Sequence, residues 1–345
     1  MAATGGVTTG GDGDKDFRSE IDAYGFQRPD DFDYDTYEQF MSQYLSVLAR
    51  RAGKWSKFMD GKKKVKKSAK VKRYIRKGIS NEYRGVVWMY ISGAEKMKAG
   101  NPGLYQRLLE GPKDQELMEV IKTDLHRTFP ENIHFCNDST VSKRASLQNV
   151  LVAFSHHHRA DGYCQGLNFI VALMLLIVRD EESCFFLLET LVKRILPAYY
   201  TRQMNGLKID QEVLGELVKQ KLPEVSRRIE AESVPWSIPT TKWFICLFLD
   251  VLPIETVLRI WDCLFYEGSK ILFRVCLSLI KQNQDLILGA SSFPTLIEAF
   301  KKVTLHSRNT DCHTFMQNVF LDSQPLGRAT IERLRNDCKM AETKE

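Results

Sequence analysis

Apolar residues recur every three to four positions along most of this chain, which is the spacing of one helix face. The first such stripe begins near Thr36, and another ends at Phe129, because the residue before a proline disfavours the helical conformation. This spacing predicts helices over 81–98, 104–110, 114–128, 140–158, 163–178, 181–196, 207–220, 223–232, 239–249, 254–266 and 269–288, with weaker ones beyond 292. Alternating strand patterns bounded by hairpin turns do not occur in the sequence. We therefore predict an all-α fold.

The N-terminal part of the chain differs from this helical body. Residues 1–16 are rich in glycine and offer almost nothing to bury, so we expect residues 1–35 to be mostly disordered. Residues 36–77 are predicted to form a helical extension that stops at Gly78, and Ser80 can cap the helix that follows.

Composition places the chain among ordinary globular proteins, with 43% hydrophobic and 27% charged residues. The N-terminus lacks the apolar core of a secretory signal, and the longest apolar run, Phe169 to Val178, is too short to span a bilayer. The eight cysteines show neither the pair spacing of a zinc site nor the density of a disulfide framework. We expect a cytoplasmic protein, neither secreted nor transmembrane, with reduced thiols.

Positive charge is concentrated in one segment. Between Arg50 and Lys77 there are fourteen Lys or Arg residues against one acidic residue, a local excess of +13 in a chain whose net charge is +6. Such a segment can be a solvated linker, or it can bind an acidic protein surface, nucleic acid or anionic lipid. Only three aromatic residues interleave with these charges, which argues against nucleic acid as the ligand, because few side chains can stack on bases.

Common catalytic signatures are missing from the sequence, which has no nucleophile elbow, no Walker or Rossmann glycine loop and no HExxH helix. His156, His157 and His158 are consecutive, and successive helical residues point about 100° apart, so we do not expect them to share a metal ion. The sequence thus predicts no metal site and no cofactor of the protein's own.

Two short polar segments are candidate chemical sites. Asp124 and Arg127 lie three residues apart on one predicted helix face, so the carboxylate can orient the guanidinium; the alternative is a solvent-facing ion pair of little consequence. In the second segment, residues 161–168, two glycines flank Tyr163 and Gln165 and suggest a shaped turn that presents the glutamine amide. Its alternative is an ordinary helix start with Tyr163 in the core and Gln165 in solvent.

Together the two segments suggest one chemistry. An arginine and a glutamine, without a nucleophile or metal ligands, are the groups that stabilise phosphoryl charge and align the attacking water in GTP hydrolysis. Because the chain has no phosphate-binding loop, it would supply these groups in trans to a GTPase that holds its own GTP and Mg²⁺.

Three motifs carry a strong resemblance to a known family. They are Arg84-Gly85-Val86-Val87-Trp88, Ile121-x-x-Asp124-x-x-Arg127 and Tyr163-x-Gln165, followed by Trp243, Pro253, Ile260-Trp261-Asp262 and Glu267-Gly268. In this order and at these separations they resemble the TBC domain over about residues 78–288. The resemblance implies a two-lobed, all-helical domain and leaves residues 289–345 as a C-terminal helical extension and tail.

The same resemblance implies an activity and assigns residues to it. It implies a GTPase-activating protein that accelerates GTP hydrolysis by Rab-type small GTPases in their GTP state, and hence a role in vesicle transport. Arg127 would be an arginine finger and Gln165 a glutamine finger, with Asp124 and Tyr163 orienting and packing them.

The resemblance also implies roles for other parts of the chain. Arg84 and Trp88 match its first motif, which implies a mainly structural role, with Trp88 in the core and Arg84 bracing the groove. Because Rab proteins sit on membranes, an anionic membrane surface becomes the favoured partner of residues 50–77, with the protein peripheral on membranes. The alternative function is a non-catalytic helical adaptor that binds a GTP-loaded Rab protein or another partner; the presence of both Arg127 and Gln165 favours the activator.

Overall fold

The structure is a computed structural model and describes residues 19–62, 64–112, 114–137, 140–249, 251–308, 311–323 and 325–342. The disorder expected for residues 1–16 concerns positions outside these described ranges. Residues 19–33, in the remainder of that N-terminal segment, form a loop with isolated backbone pairings between Ile21 and Gln27 and between Phe26 and Asn132. The structure therefore begins before the first apolar stripe. The apolar spacing does not predict this loop, because backbone pairing with a distant segment leaves no helical periodicity in the sequence.

The architecture is all-α, as the apolar spacing predicts. The helices of the described residues are α1 (Tyr34–Met59), α2 (Ala69–Lys77), α3 (Asn81–Ser92), α4 (Ala94–Gly100), α5 (Leu104–Glu110), α6 (Gln115–His126), α7 (Arg144–His157), α8 (Leu167–Val178), α9 (Glu181–Thr190), α10 (Asn205–Lys221), α11 (Pro223–Ala231), α12 (Ser237–Ile245), α13 (Ile254–Glu267), α14 (Lys270–Gln282), α15 (Gln284–Leu288), α16 (Phe293–Arg308), α17 (Cys312–Asp322) and α18 (Arg328–Glu342). A single π-helical turn, Leu191–Ile195, continues α9. None of the described helices is both long and apolar enough to cross a membrane.

Glycines in the left-handed backbone region divide segments that the apolar pattern joins. Gly93 (φ +90°) separates α3 from α4 within the predicted helix 81–98, and Gly166 (φ +104°) delays α8 until Leu167. Glycine adopts this conformation without the steric cost that other residues have. The second break leaves residues 161–166 outside the helix, which frees them to form a turn.

The helices pack as two groups around one continuous apolar core. Helices α3–α9 contact one another in the first group, and α10–α18 contact one another in the second. Helix α13 joins the groups, because it contacts α2 and α3 as well as α14 and α17, and most of its residues are buried. These groups are the two lobes that the family resemblance implies.

The basic segment is partly docked on this body. The buried side chain of Trp55, on α1, donates its Nε1–H to the Gly78 carbonyl at 2.9 Å. On α2, Arg76 bonds Glu267 of α13 through Nε and Nη2 at 2.6 and 2.7 Å. The segment is therefore not a free linker, because its apolar and some of its charged residues pack against α13.

Candidate catalytic site

Arg127 is the first residue after α6. Asp114 caps the start of that helix by accepting the Leu117 N–H at 3.2 Å, and the helix ends at His126. The Arg127 side chain returns to Asp124, with Nε donating to Oδ1 at 2.8 Å and Nη2 lying 2.7 Å from the same oxygen. Asp124 is 8% exposed whereas Arg127 is 45% exposed. A buried carboxylate thus anchors a guanidinium that stays accessible to a partner.

Gln165 lies on the turn between α7 and α8. The carbonyl of His158 accepts the N–H groups of Asp161 at 3.1 Å and Gly162 at 2.7 Å, which reverses the chain after α7. Gly162 has φ +68°, and Gly166, also with positive φ, starts α8. The side chain of Gln165 between them is exposed. The two flanking glycines therefore shape a turn that presents this amide, as the sequence suggests.

The two candidate segments meet through their side chains. With its amide oxygen turned towards the guanidinium, Gln165 accepts from Nη2 of Arg127 at 2.8 Å and from Nη1 at 3.1 Å. Tyr163 donates its hydroxyl to Oδ2 of Asp124, so one carboxylate holds the arginine with one oxygen and the tyrosine with the other. We call these four residues the Asp124 cluster.

Electrostatics keep Tyr163 and the adjoining Cys164 in their neutral forms. Burial, the hydrogen bond to Asp124 and the Asp124 charge raise the pKa of the Tyr163 phenol, so it remains a hydrogen-bond donor. Burial and the same charge raise the pKa of the Cys164 thiol to about 11, so it is not a thiolate at neutral pH. The adjoining thiol is therefore not activated as a nucleophile, and what the cluster presents to a partner is a cation and an amide.

Two further polar residues, which sequence reasoning missed, support the site from inside. Thr128 donates its hydroxyl to the Asp124 carbonyl at 2.6 Å and accepts from the Asn168 amide at 2.8 Å. The side-chain Oδ1 of Asn168 accepts the Gly166 N–H at 3.1 Å, and Thr128 and Asn168 are both fully buried. This chain of bonds ties the end of α6 to the start of α8. The sequence signal that could have identified Asn168 is its position as a polar residue at the start of an otherwise apolar helix.

Arg84 and Trp88 belong to a separate cluster around Asp262 of α13. Arg84 Nε donates to Oδ1 of Asp262 at 3.0 Å, and Trp88 Nε1 donates to the same atom at 2.8 Å. The backbone N–H of Ile79 donates to Oδ2 at 2.9 Å, and all three side chains are buried. These bonds tie α3 to α13. Among the described contacts, none joins Arg84 or Trp88 to the Asp124 cluster.

Comparison with known proteins gives consistent similarities over most of the chain. A family profile described as the Rab-GTPase-TBC domain matches residues 81–288. Growth hormone-regulated TBC protein 1-A from Danio rerio is 53% identical over 321 residues, covering 93% of this chain and 90% of that protein. GTPase-activating protein MSB4 from Saccharomyces cerevisiae is 34% identical over 338 residues, covering 86% of this chain and 68% of that protein. The crystal structure of the Chlamydomonas flagellar RabGAP TBC domain matches with a TM-score of 0.74 at 33% identity, covering 87% of this chain and 99% of that one.

Proposed function

The chain belongs to the Rab-GTPase-TBC domain family, and on that premise we propose that it is a GTPase-activating protein for Rab-type small GTPases in their GTP state. It supplies Arg127 and Gln165 in trans, while the GTPase holds the nucleotide and Mg²⁺. The observation that carries this proposal is the exposed contact between Arg127 and Gln165 above the buried carboxylate of Asp124.

Each of the two groups has a separate task in hydrolysis. The guanidinium of Arg127 neutralises negative charge that builds on the phosphoryl oxygens, and the amide of Gln165 aligns the attacking water. An arginine finger contributes about 10³–10⁵ in rate, which corresponds to about 4–7 kcal/mol of transition-state stabilisation. Neither task needs a nucleophile, which agrees with the neutral state of the Cys164 thiol.

Asp124 and Tyr163 act as positioning residues. In the free protein Arg127 and Gln165 bond each other, and docking of the GTPase replaces that bond by bonds to phosphate oxygens and water. Because Asp124 holds the guanidinium and Tyr163 at once, it restricts the turn and the arginine before the partner arrives. Groups ordered in advance lose less entropy when the reacting complex forms.

Single-turnover phosphate release from a panel of GTP-loaded Rab proteins tests the proposal. Arg127→Ala should lower the stimulated rate by about 10³ or more, and Gln165→Ala should also lower it severely. Arg333→Ala is the matched control, because this arginine is 61% exposed and lies on α18. Rates within a few-fold of wild type for both finger variants would refute the assignment.

The same panel separates the activator from the non-catalytic adaptor. An activator accelerates hydrolysis by at least one Rab protein, whereas an adaptor binds a GTP-loaded Rab protein without changing its rate of hydrolysis. Binding is measured separately with a Rab protein loaded with a non-hydrolysable GTP analogue. If the wild-type chain binds a Rab protein loaded with the analogue but accelerates GTP hydrolysis by none of the panel, the protein is an adaptor.

We further propose that the activator works at the cytoplasmic surface of membranes, with the basic segment contacting anionic lipid. The ends of α1 and α2 bring basic residues together, because Lys62 and Lys70 both approach the Phe58 ring, with Nζ at 3.9 and 5.9 Å from its centroid. The exposed basic side chains of the segment are Arg50, Lys54, Lys57, Lys62, Lys64, Lys66, Lys67, Lys70, Arg73 and Lys77. Each contributes about 1 kcal/mol near an anionic leaflet.

Vesicle co-sedimentation tests this second proposal with its own readout. The protein should bind phosphatidylserine vesicles more tightly than phosphatidylcholine vesicles, and salt should weaken the binding. Alanine at Lys62, Lys66 and Lys70 should lower affinity by about 10². The matched control replaces three exposed lysines elsewhere, Lys96, Lys208 and Lys219. A vesicle affinity that depends on neither lipid charge nor salt concentration would refute the contact with anionic lipid.

A further inference from the structure

Three side chains that can ligate a metal ion converge at the end of α7. Nδ1 of His157 lies 3.2 Å from Oε1 of Glu189, and Nε2 of His158 lies 2.7 Å from the same oxygen. The three ligand atoms lie within 4.8 Å of one another. Glu189 is 1% exposed and His157 is 33% exposed, so the group has a buried floor and an open side.

The convergence arises because α7 stops between the two histidines. Its last residue is His157, and His158 has φ −113° and ψ 51°, outside the helical region. The 100° rotation that separates successive helical side chains therefore does not apply between them. His156 remains within the helix and contacts the Leu108 carbonyl through Nδ1 at 2.7 Å. The sequence argument against a shared metal thus fails for His157 and His158, and His156 lies apart.

We propose that His157, His158 and Glu189 form a binding site for one divalent transition metal ion of the zinc class. Two imidazoles and one carboxylate are a common protein ligand set for zinc, with the fourth position open to water. In a tetrahedral site with bonds of about 2.1 Å, neighbouring ligand atoms lie about 3.4 Å apart. The present N–O separations of 3.2 and 2.7 Å need only a small outward movement of the carboxylate to admit the ion.

The surroundings supply charge and orientation for such an ion. Glu189 contributes an acidic side chain whose Oε1 already faces both imidazoles, 3.2 Å from His157 and 2.7 Å from His158. Lys193 approaches the other carboxylate oxygen at 3.7 Å and is half exposed, so it can turn into solvent when a divalent ion arrives. The His158 ring stacks on Phe154 with centroids 4.3 Å apart, which fixes the plane of the ligand.

Metal titration of the full chain tests the site. Protein freed of metal with a chelator is titrated with ZnCl₂ by calorimetry and with CoCl₂ by visible absorption. We expect one equivalent of either ion and a cobalt spectrum with ligand-field bands but no thiolate charge-transfer band. A His157→Ala/His158→Ala double variant and Glu189→Gln should each weaken binding about tenfold or more. The matched control, His156→Ala, removes the adjacent histidine and should bind as wild type.

Specific outcomes would overturn the proposal. These are the absence of stoichiometric binding in wild type, wild-type affinity in both site variants, or a thiolate band that assigns the ion to cysteines. Far-UV circular dichroism checks that each variant is folded. If Glu189→Gln disturbs the fold, the double histidine variant decides the question, because it changes side chains at an open helix end.

Discussion

Replacing Asp262 by alanine should destabilise the protein more than almost any other single polar substitution. The carboxylate is fully buried and accepts bonds from Arg84 at 3.0 Å, from Trp88 at 2.8 Å and from the Ile79 N–H at 2.9 Å. Burial alone would lower the pKa of Arg84, but the charges of Asp262 and Tyr24 and the hydrogen bonds to both residues together outweigh burial and raise it. The variant would therefore leave a buried guanidinium without its counter-charge.

The size of the effect follows from this geometry. Removing one partner of a buried ion pair costs about 3–5 kcal/mol, because the remaining charge has lost both water and its partner. Natural domains have unfolding free energies of about 5–15 kcal/mol. We therefore expect Asp262→Ala to lower the free energy of unfolding by about 3–5 kcal/mol, at least about a fifth of the total. The Asp124 cluster, which makes no described contact with Asp262, is altered only through the loss of fold.

Urea denaturation at pH 7, followed by far-UV circular dichroism, measures this loss. The control is Asp337→Ala, which breaks an ion pair with Arg333 whose two side chains are 59% and 61% exposed; we expect less than about 1 kcal/mol there. A second variant, Arg84→Met with Asp262→Leu, removes both charges and should recover part of the stability, with the remaining loss due to the unpaired Trp88 and Ile79 N–H donors. A loss at Asp262 no larger than that at Asp337 would refute the reasoning.

Three further predictions concern the site and the stability of the chain. Tyr163→Phe removes the hydroxyl bond to Asp124 and should slow stimulated GTP hydrolysis about tenfold in single-turnover assays without lowering the melting temperature by more than a few degrees. Burial raises the pKa of Glu267, but Arg76, Lys72 and Lys270 together outweigh burial and hold the pKa at about 2. The stabilisation from this carboxylate is therefore present above pH about 4.5 and is lost as pH falls towards 2, so Glu267→Gln should flatten the acid limb of urea titrations. Arg335→Ala leaves buried Asp210 without its two 2.6 Å bonds from Nε and Nη2, so it should cost about 3 kcal/mol and speed hydrogen exchange in α18.

Helix content and many helix positions follow from the apolar spacing alone, because a helix that buries one face repeats its apolar residues with the helical period. The exceptions are local. The predicted helix 81–98 is divided at Gly93, the predicted helix 163–178 starts late at Gly166, and the predicted helix 269–288 is divided at Asn283 into α14 and α15. A glycine inside an apolar pattern can continue a helix or end it, and the spacing of its neighbours does not distinguish the two.

The sequence indicated the four residues of the Asp124 cluster as candidates, but it did not indicate their arrangement or the supporting residues Thr128 and Asn168. Asp124 and Arg127 are close in sequence, so their contact follows from helix geometry. The contact of Arg127 with Gln165 joins the end of α6 to the turn before α8, and the bond from Asn168 to Thr128 joins α8 to the same end of α6. Such contacts depend on how α6 and α8 pack, and no short-range pattern in the sequence records that packing.

The charges show the same division between what the sequence determines and what tertiary packing decides. The +13 excess between residues 50 and 77 is a property of the sequence alone, but the pairing of Arg76 with Glu267 depends on α2 lying against α13. The convergence of His157 and His158 likewise depends on where α7 ends and on the position of Glu189 on the next helix but one. Composition and periodicity determine which elements form and which charges the chain carries. Only tertiary packing decides which of those charges meet, because the Coulomb energy depends on distance in space and not on separation along the chain.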